Sequence, residues 1–240
     1  MQWRKEIGEL LFPPRCVICG VFEKDVADGL CATCLASVAY TCSPQCVVCG
    51  KNFKAAPTED HLCEECLRCP PPYTMARGIT FYEEPVRTLL HRLKYDFDTT
   101  VVEPLLKIAG NYDFSVFNSS DYIVPVPLHS KRLKKRGFNQ ALLLAKLLFP
   151  QRARNIVVDN LMKNRNTISQ TALDASARRA NLRSAFLTKH AGIFRNKRIC
   201  IVDDVYTTGT TVAECARTLK RAGADNVVVL TFARVQEKYI

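Results

Sequence analysis

The sequence predicts an α/β fold: a parallel sheet flanked by helices, with a small cysteine-rich module ahead of it. Three observations carry this. Apolar runs of the fully buried kind occur at Tyr122–Val126, at Ile199–Val202 and in NVVVLTFAR at 226–234. Between the last two lies VAECARTLKRAG, a helical pattern closing on Gly223, and the order strand, loop, helix, strand belongs to a doubly wound sheet with right-handed crossovers. Ten of the twelve cysteines are confined to Cys16–Cys69, which sets that stretch apart from the rest.

At 240 residues the chain is long enough for one good-sized α/β domain and an appendage. With 48% hydrophobic and 24% charged residues its composition is that of a soluble globular protein, and the formal charge of +11 favours polyanionic partners. The opening MQWRKEIGELLF carries charges at Arg4, Lys5, Glu6 and Glu9, so it reads as a short amphipathic helix ended by Pro13-Pro14 and not as a secretory leader. The run ALLLAKLLF at 141–149 is too short to span a bilayer and contains Lys146. A cytoplasmic protein with no membrane span is expected.

The cysteines form four CxxC pairs: Cys16/Cys19, Cys31/Cys34, Cys46/Cys49 and Cys63/Cys66. Two-residue spacing lets both thiolates of a knuckle point at one tetrahedral metal, with backbone N–H groups supporting the sulfurs. Four such pairs in a chain without an export signal point to structural Zn²⁺ and not to disulfides. The simplest pairing joins 16/19 with 31/34 and 46/49 with 63/66. An interleaved pairing and a slip of the last knuckle to Cys66/Cys69 stay open, with Cys42, Cys69 and His61 as spare ligands. Residues 1–70 are expected to form this zinc-binding module, which is too small for a core of its own. CPPPY at 69–73 makes a stiff linker, and a second domain is expected over 75–240.

In that domain RGITFYEE reads as a strand and PVRTLLHRLKY as a helix with Leu89, Leu90 and Leu93 on one side. Arg87, Arg92 and Lys94 line a basic face, and His91 reads as a surface or partly buried side chain. A further helix over Thr99–Gly110 ends on its glycine. The strand Tyr122–Val126 is stopped by Pro125 and Pro127, which puts the following residues at the crevice beyond the strand's carboxyl end. A cationic run follows, Lys131, Arg132, Lys134, Lys135 and Arg136, then Gly137 and a helix with Gln140, Leu142, Leu143 and Leu147. The segment 161–187 is polar and cationic in its first half, then helical.

The chemistry concentrates at Ile199–Thr211, ICIVDDVYTTGTT. A buried strand delivers Asp203 and Asp204 to the crevice. Thr207, Thr208, Gly209, Thr210 and Thr211 then supply hydroxyls and backbone N–H groups where a helix begins, so donors and the positive end of the helix dipole converge. Gly209 lets the backbone approach an anion closely. Paired carboxylates can accept from vicinal sugar hydroxyls or meet a hydrated Mg²⁺.

This stretch closely resembles the phosphoribosyl pyrophosphate (PRPP) signature of type I phosphoribosyltransferases. The resemblance implies that Asp203 and Asp204, the catalytic candidates, hold the ribose. Thr207–Thr211, with Val205 and Tyr206 in the same stretch, bind the 5′-phosphate, and Leu128, His129 and Ser130 hold the pyrophosphate with Mg²⁺. It further implies that 161–187 is a hood over the site, with Arg165, Gln170, Arg178, Arg179, Asn181 and Arg183 available to a nucleotide or a DNA backbone.

More motifs match one family. Arg132 to Ala145 is RxxxRGFNQxxxLA, with Arg136, Gly137, Phe138, Asn139 and Gln140 intact, and the block Arg165, Thr167, Gln170, Thr171, Leu173, Arg178, Arg179, Asn181, Ala185 and Phe186 also matches. With the CxxC-rich N-terminus, the Pro-Pro-Tyr linker and IVDDVYTTGTT, the chain resembles the ComF (ComFC) family of bacterial natural transformation along nearly its whole length. That resemblance implies a PRPP-binding, phosphoribosyltransferase-like protein of DNA uptake that handles incoming single-stranded DNA. The implied partners are competence proteins such as the ComFA helicase-like ATPase and DprA. DNA contacts are expected at Lys131, Arg132, Lys134, Lys135, Arg136, Arg178 and Arg179, with Phe138, Tyr95, Phe97 and Tyr206 as candidates for base stacking. Two other readings stand beside this one. The first is an active phosphoribosyltransferase transferring phosphoribosyl from PRPP to an unidentified acceptor, though no stretch reads as a nucleobase clamp. The second is a structural adaptor that docks a helicase through the ribbons.

Overall fold

In the computed structural model the described residues are 14–22, 26, 28–53, 59–96, 98–164 and 185–236. They fall into two compact units, one drawn from 1–39 and 82–112 and the other from 40–81 and 113–240. The expected N-terminal helix, Phe97, and the hood residues from Arg165 to Arg183, including Arg178 and Arg179, lie outside the described residues.

Along the chain the elements are α1 (Ala32–Ala36), α2 (Glu64–Arg68), β1 (Met75–Phe81), α3 (Val86–His91), α4 (Val102–Ala109), α5 (Ser115–Asn118), β2 (Tyr122–Pro125), α6 (Ser130–Arg136), α7 (Gln140–Leu148), β3 (Leu161–Lys163), β4 (Phe186–Thr188), β5 (Arg198–Tyr206), α8 (Thr210–Arg221) and β6 (Asn226–Arg234). The expected parallel sheet forms from four strands in the order β1-β6-β5-β2, with every neighbouring pair parallel. Ile199, Cys200, Ile201 and Val202 are all buried, so both faces of β5 are covered, as parallel strands require. Helix α8 buries Val212, Cys215, Ala216 and Leu219, the i, i+3, i+4, i+7 stripe of a helix laid on a sheet.

The free edge of β1 is closed by the chain that precedes it. Thr41 N–H donates to Ile79 O at 3.1 Å, and Ala76 N–H donates to Val48 O at 2.7 Å. Val48 belongs to the Cys46/Cys49 knuckle, so that knuckle both covers an exposed sheet edge and packs against the main core.

In the other unit the first pair of knuckles meets α3 and α4. Val17 N–H donates to Gly29 O at 2.9 Å, while the Arg92 guanidinium reaches Val17 O and grips Asp98 with two bonds at 2.9 and 2.5 Å. The helix expected from Pro85 runs as α3 and then loosens into a π-helical turn over Arg92–Asp96. The helix expected over Thr99–Gly110 opens with a 3₁₀ turn and closes on Gly110. The two ends of segment 161–187 pair as the antiparallel ladder β3–β4, with Lys163 opposite Phe186. Three-residue strands leave too little alternation to be read against a polar background.

Candidate functional site

Strand β5 carries its pairing past the two acids. Asp203 lies opposite Thr231, Val205 opposite Ala233 and Tyr206 opposite Arg234 on β6. Each carboxylate accepts the next backbone N–H, Asp203 from Asp204 and Asp204 from Val205, both at 2.9 Å. Side chains alternate along a strand, so the two acids leave on opposite faces. Asp203 is the one within electrostatic reach of Cys215 on α8 and of Lys163 on β3.

The threonine loop then turns into α8. Gly209 is its N-cap residue, in the left-handed region at φ 70°, and its carbonyl accepts the first helical bond from Ala213 N–H at 2.9 Å. Glycine has no side chain to cap the helix, so the first N–H groups of α8 face the loop outside the helix's own ladder. Thr207 and Thr208 are exposed, and the Thr208 and Thr210 hydroxyls lie 2.8 Å apart. Tyr206 differs from the loop that follows it. It is buried, its hydroxyl lies under Gly209 and is 2.8 Å from the Tyr73 hydroxyl, and the Arg234 guanidinium sits 4.9 Å from its ring centre. Its buried ring offers no face for a nucleobase.

Beyond β2, Leu128 and His129 are half-buried and Ser130 is exposed. His129 caps α6, its Nδ1 accepting Lys131 N–H at 3.2 Å. Asn139 anchors the far side of this turn: its side chain donates to Val126 O and accepts Ala141 N–H, each at 3.0 Å. One amide thus pins the start of α7 to the end of β2, which is a physical reason for asparagine in the RGFNQ motif. Helix α6 buries no residue. Lys131, Lys134 and Lys135 are exposed, and Arg132 and Arg136 are half-buried.

Lys163 is the residue that sequence reasoning missed. Burial lowers its pKa, the nearby Arg132 charge lowers it further, and Asp203 pulls the other way. Its ammonium also lies 5.5 Å from the Phe186 ring centre. Arg132 from α6, Lys163 from β3 and Asp203 from β5 therefore share one electrostatic environment. The signal for Lys163 is weak, a single lysine ending a three-residue strand in a stretch already rich in cations.

The cysteines gather in two sets of four, Cys16/Cys19/Cys31/Cys34 and Cys46/Cys49/Cys63/Cys66, with the sulfurs of each set within 4.8 Å of one another. This is the sequential pairing. The interleaved pairing and the slip to Cys69 do not occur, and Cys42 and Cys69 are exposed outside both sets. His61 stacks on Phe53 with ring centres 3.9 Å apart.

The chemistry of both sets fits Zn²⁺. Backbone N–H groups reach the sulfurs: Cys34 to Cys31 Sγ at 3.4 Å, Cys49 to Cys46 Sγ at 3.5 Å and Cys63 to Cys46 Sγ at 3.4 Å. Burial raises the Cys16 and Cys46 thiols, but the surrounding N–H groups outweigh it and bring each down to about 6. Burial pushes Cys49 up to about 12, and drives Cys34 and Cys66 upward as well. Cys16 and Cys46 thus form thiolates easily, while Cys34, Cys49 and Cys66 need a cation beside them, which is what a divalent metal supplies. Four protein thiolates close the coordination shell, so these are structural sites.

The comparisons with known proteins agree with this arrangement. Residues 7–67 match the double zinc ribbon domain. The chain is 33% identical over 212 residues to DNA utilization protein YhgH of Escherichia coli O157:H7, covering 86% of this chain and 90% of that protein. It is 31% identical over 228 residues to competence protein F of Haemophilus influenzae, covering 92% and 96%. The chain belongs to the competence protein F family. A more distant ComF relative is competence protein ComFC of Bacillus subtilis, 26% identical over 233 residues, with 87% of this chain and 89% of that one covered. Among solved structures, the ComF chain is similar in part to the allosteric regulatory enzyme of purine biosynthesis (TM-score 0.31, 23% identity, 55% of this chain), of which it spans about a quarter of the length, 24%. A second is a hypoxanthine phosphoribosyltransferase from Staphylococcus aureus (TM-score 0.28, 12% identity, 64% of this chain and 75% of that one). Among the described residues of this ComF chain no helix is long and apolar enough to cross a membrane.

Proposed function

We propose that this ComF-family chain is a PRPP-binding protein of DNA uptake that handles incoming single-stranded DNA in the cytoplasm. One observation carries the reading: Asp203, Lys163 and Arg132 share one electrostatic environment beside a helix start whose cap is a left-handed glycine. A sugar flanked by a phosphate on one side and a pyrophosphate on the other needs that distribution of charge. Amide donors would hold the 5′-phosphate at Thr207–Thr211. Asp203 would hold the ribose hydroxyls from its face of the strand end and Asp204 a Mg²⁺-bound oxygen from the other, while Lys163, Arg132 and the Leu128–Ser130 turn would meet the pyrophosphate. Exposed lysines on α6 extend the positive surface away from this site, where a DNA backbone can follow. Competence proteins such as a helicase-like ATPase and DprA are the expected partners.

The test is a calorimetric titration with PRPP and Mg²⁺ on the zinc-loaded chain, repeated with single-stranded oligonucleotide present. The expected result is 1:1 PRPP binding that Asp203→Asn with Asp204→Asn weakens at least tenfold. Unchanged affinity in that double variant would defeat the ribose assignment.

A further inference from the structure

The second cysteine set and the phosphate loop are joined by a continuous chain of buried contacts. Arg234, at the end of β6, is 6% exposed and donates from Nη1 to the carbonyl of Cys49, itself one of the four ligands, at 2.8 Å. The same guanidinium covers the Tyr206 ring. The Tyr206 hydroxyl meets Tyr73 at 2.8 Å and lies beneath Gly209, so closely that a Cβ on Gly209 would overlap it. On the ribbon side Gly50, at φ 71°, leaves the space that Arg234 fills: a Cβ there would fall 2.9 Å from Nη1. A buried guanidinium needs a matching charge. Four thiolates around Zn²⁺ carry a net charge of −2 and stand next to it.

We propose that Tyr73, Tyr206 and Arg234 are positioning residues that tie the shape of the Thr207–Thr211 loop to metal occupancy of the Cys46/Cys49/Cys63/Cys66 site, so that zinc and PRPP bind with positive coupling. The coupling to PRPP rests on the function proposed above; the coupling of loop to metal stands without it. Loss of zinc lowers the negative charge beside Arg234 and releases the knuckle whose Cys49 carbonyl holds it. The cation then leaves Tyr206, and the floor under Gly209 loosens. By linkage the effect is reciprocal: a phosphate that fixes the loop tightens binding of the second zinc by the factor by which that zinc tightens phosphate binding.

The experiment uses the zinc-loaded full chain. Amide hydrogen exchange is followed at residues 204–212, with 122–125 of β2 as an internal control, before and after withdrawal of zinc by a chelator. Zinc release is followed with a chromogenic chelator, with and without PRPP and Mg²⁺. Exchange at 204–212 should rise at least fivefold on zinc withdrawal while β2 holds, and PRPP should slow release of one zinc of the two at least threefold. Tyr73→Phe and Arg234→Gln should abolish that protection; Arg234→Lys, which keeps the cation over the ring, should restore part of it. Unchanged exchange at 204–212 after zinc withdrawal overturns the proposal, as does PRPP that binds by calorimetry yet protects neither zinc. Failure of PRPP to bind the zinc-loaded parent sinks the functional reading instead, and the exchange comparison still decides whether loop and metal are coupled.

Discussion

Gly209→Ala tests the phosphate loop most directly. At φ 70° an alanine pays the left-handed penalty, about 1 kcal/mol. Its Cβ would also overlap the Tyr206 hydroxyl and stand 2.5 Å from Cζ, and overpacking of this kind costs about 1–3 kcal/mol. Together the substitution should cost about 2–4 kcal/mol. If the loop yields, that cost appears as a loss of PRPP affinity of about 30-fold to several-hundred-fold. If Tyr206 yields, it appears as lost folding stability. Urea denaturation and calorimetric titration of the same preparation separate the two outcomes. The Tyr206→Leu background serves as the second arm of a double-mutant cycle, since a shorter side chain removes the overlap and leaves the backbone penalty. A coupling of at least about 1 kcal/mol between the two positions is expected. A Gly209→Ala chain unchanged within about 0.5 kcal/mol in both measurements would refute the seating of this turn on Tyr206.

Four further outcomes are expected. Lys163→Met should weaken PRPP binding at least tenfold, because the half-buried ammonium would meet the pyrophosphate, with little change in stability. Burial and the Arg132 charge both lower the Lys163 pKa, so its ammonium is lost at a lower pH than usual. PRPP affinity should therefore fall as pH rises toward that lowered value, with proton uptake on binding visible as buffer-dependent heat; a flat profile in the parent chain removes Lys163 from the site. Replacing the exposed Lys134 and Lys135 with alanine should reduce the slope of log affinity for single-stranded DNA against log salt by about 1.4, two lost phosphate contacts at about 0.7 each; an unchanged slope places the DNA path elsewhere. Elemental analysis should find two zinc ions per chain, falling to one in Cys31→Ser and one in Cys63→Ser, while Cys42→Ser and Cys69→Ser keep both.

Much of this protein is written locally. The four CxxC pairs foretell two tetrahedral sites, because two-residue spacing is set by the knuckle itself and owes nothing to distant chain. The run from Ile199 to Val202 foretells a buried parallel strand, and Asp203 to Thr211 foretell acids, a glycine turn and a helix start, since each depends on neighbours a few residues away. The pattern VAECARTLKRAG foretells the helix α8 and its close near Gly223.

Other features needed the tertiary structure because they join residues far apart in the chain. Sequence left the pairing of the knuckles open, and the approach of the sulfurs in space decided it. Lys163 acquired meaning only when β3, α6 and β5 brought it beside Arg132 and Asp203. Tyr206 read as part of the binding stretch, yet Tyr73 lies 133 residues earlier and Arg234 comes from β6, and together they hold its ring inside. The edge of β1 likewise selects Val48 as its hydrogen-bond partner, building the second ribbon onto the sheet. Local spacing can specify a metal knuckle or a helix cap; which buried cation answers which cluster of thiolates is settled by packing.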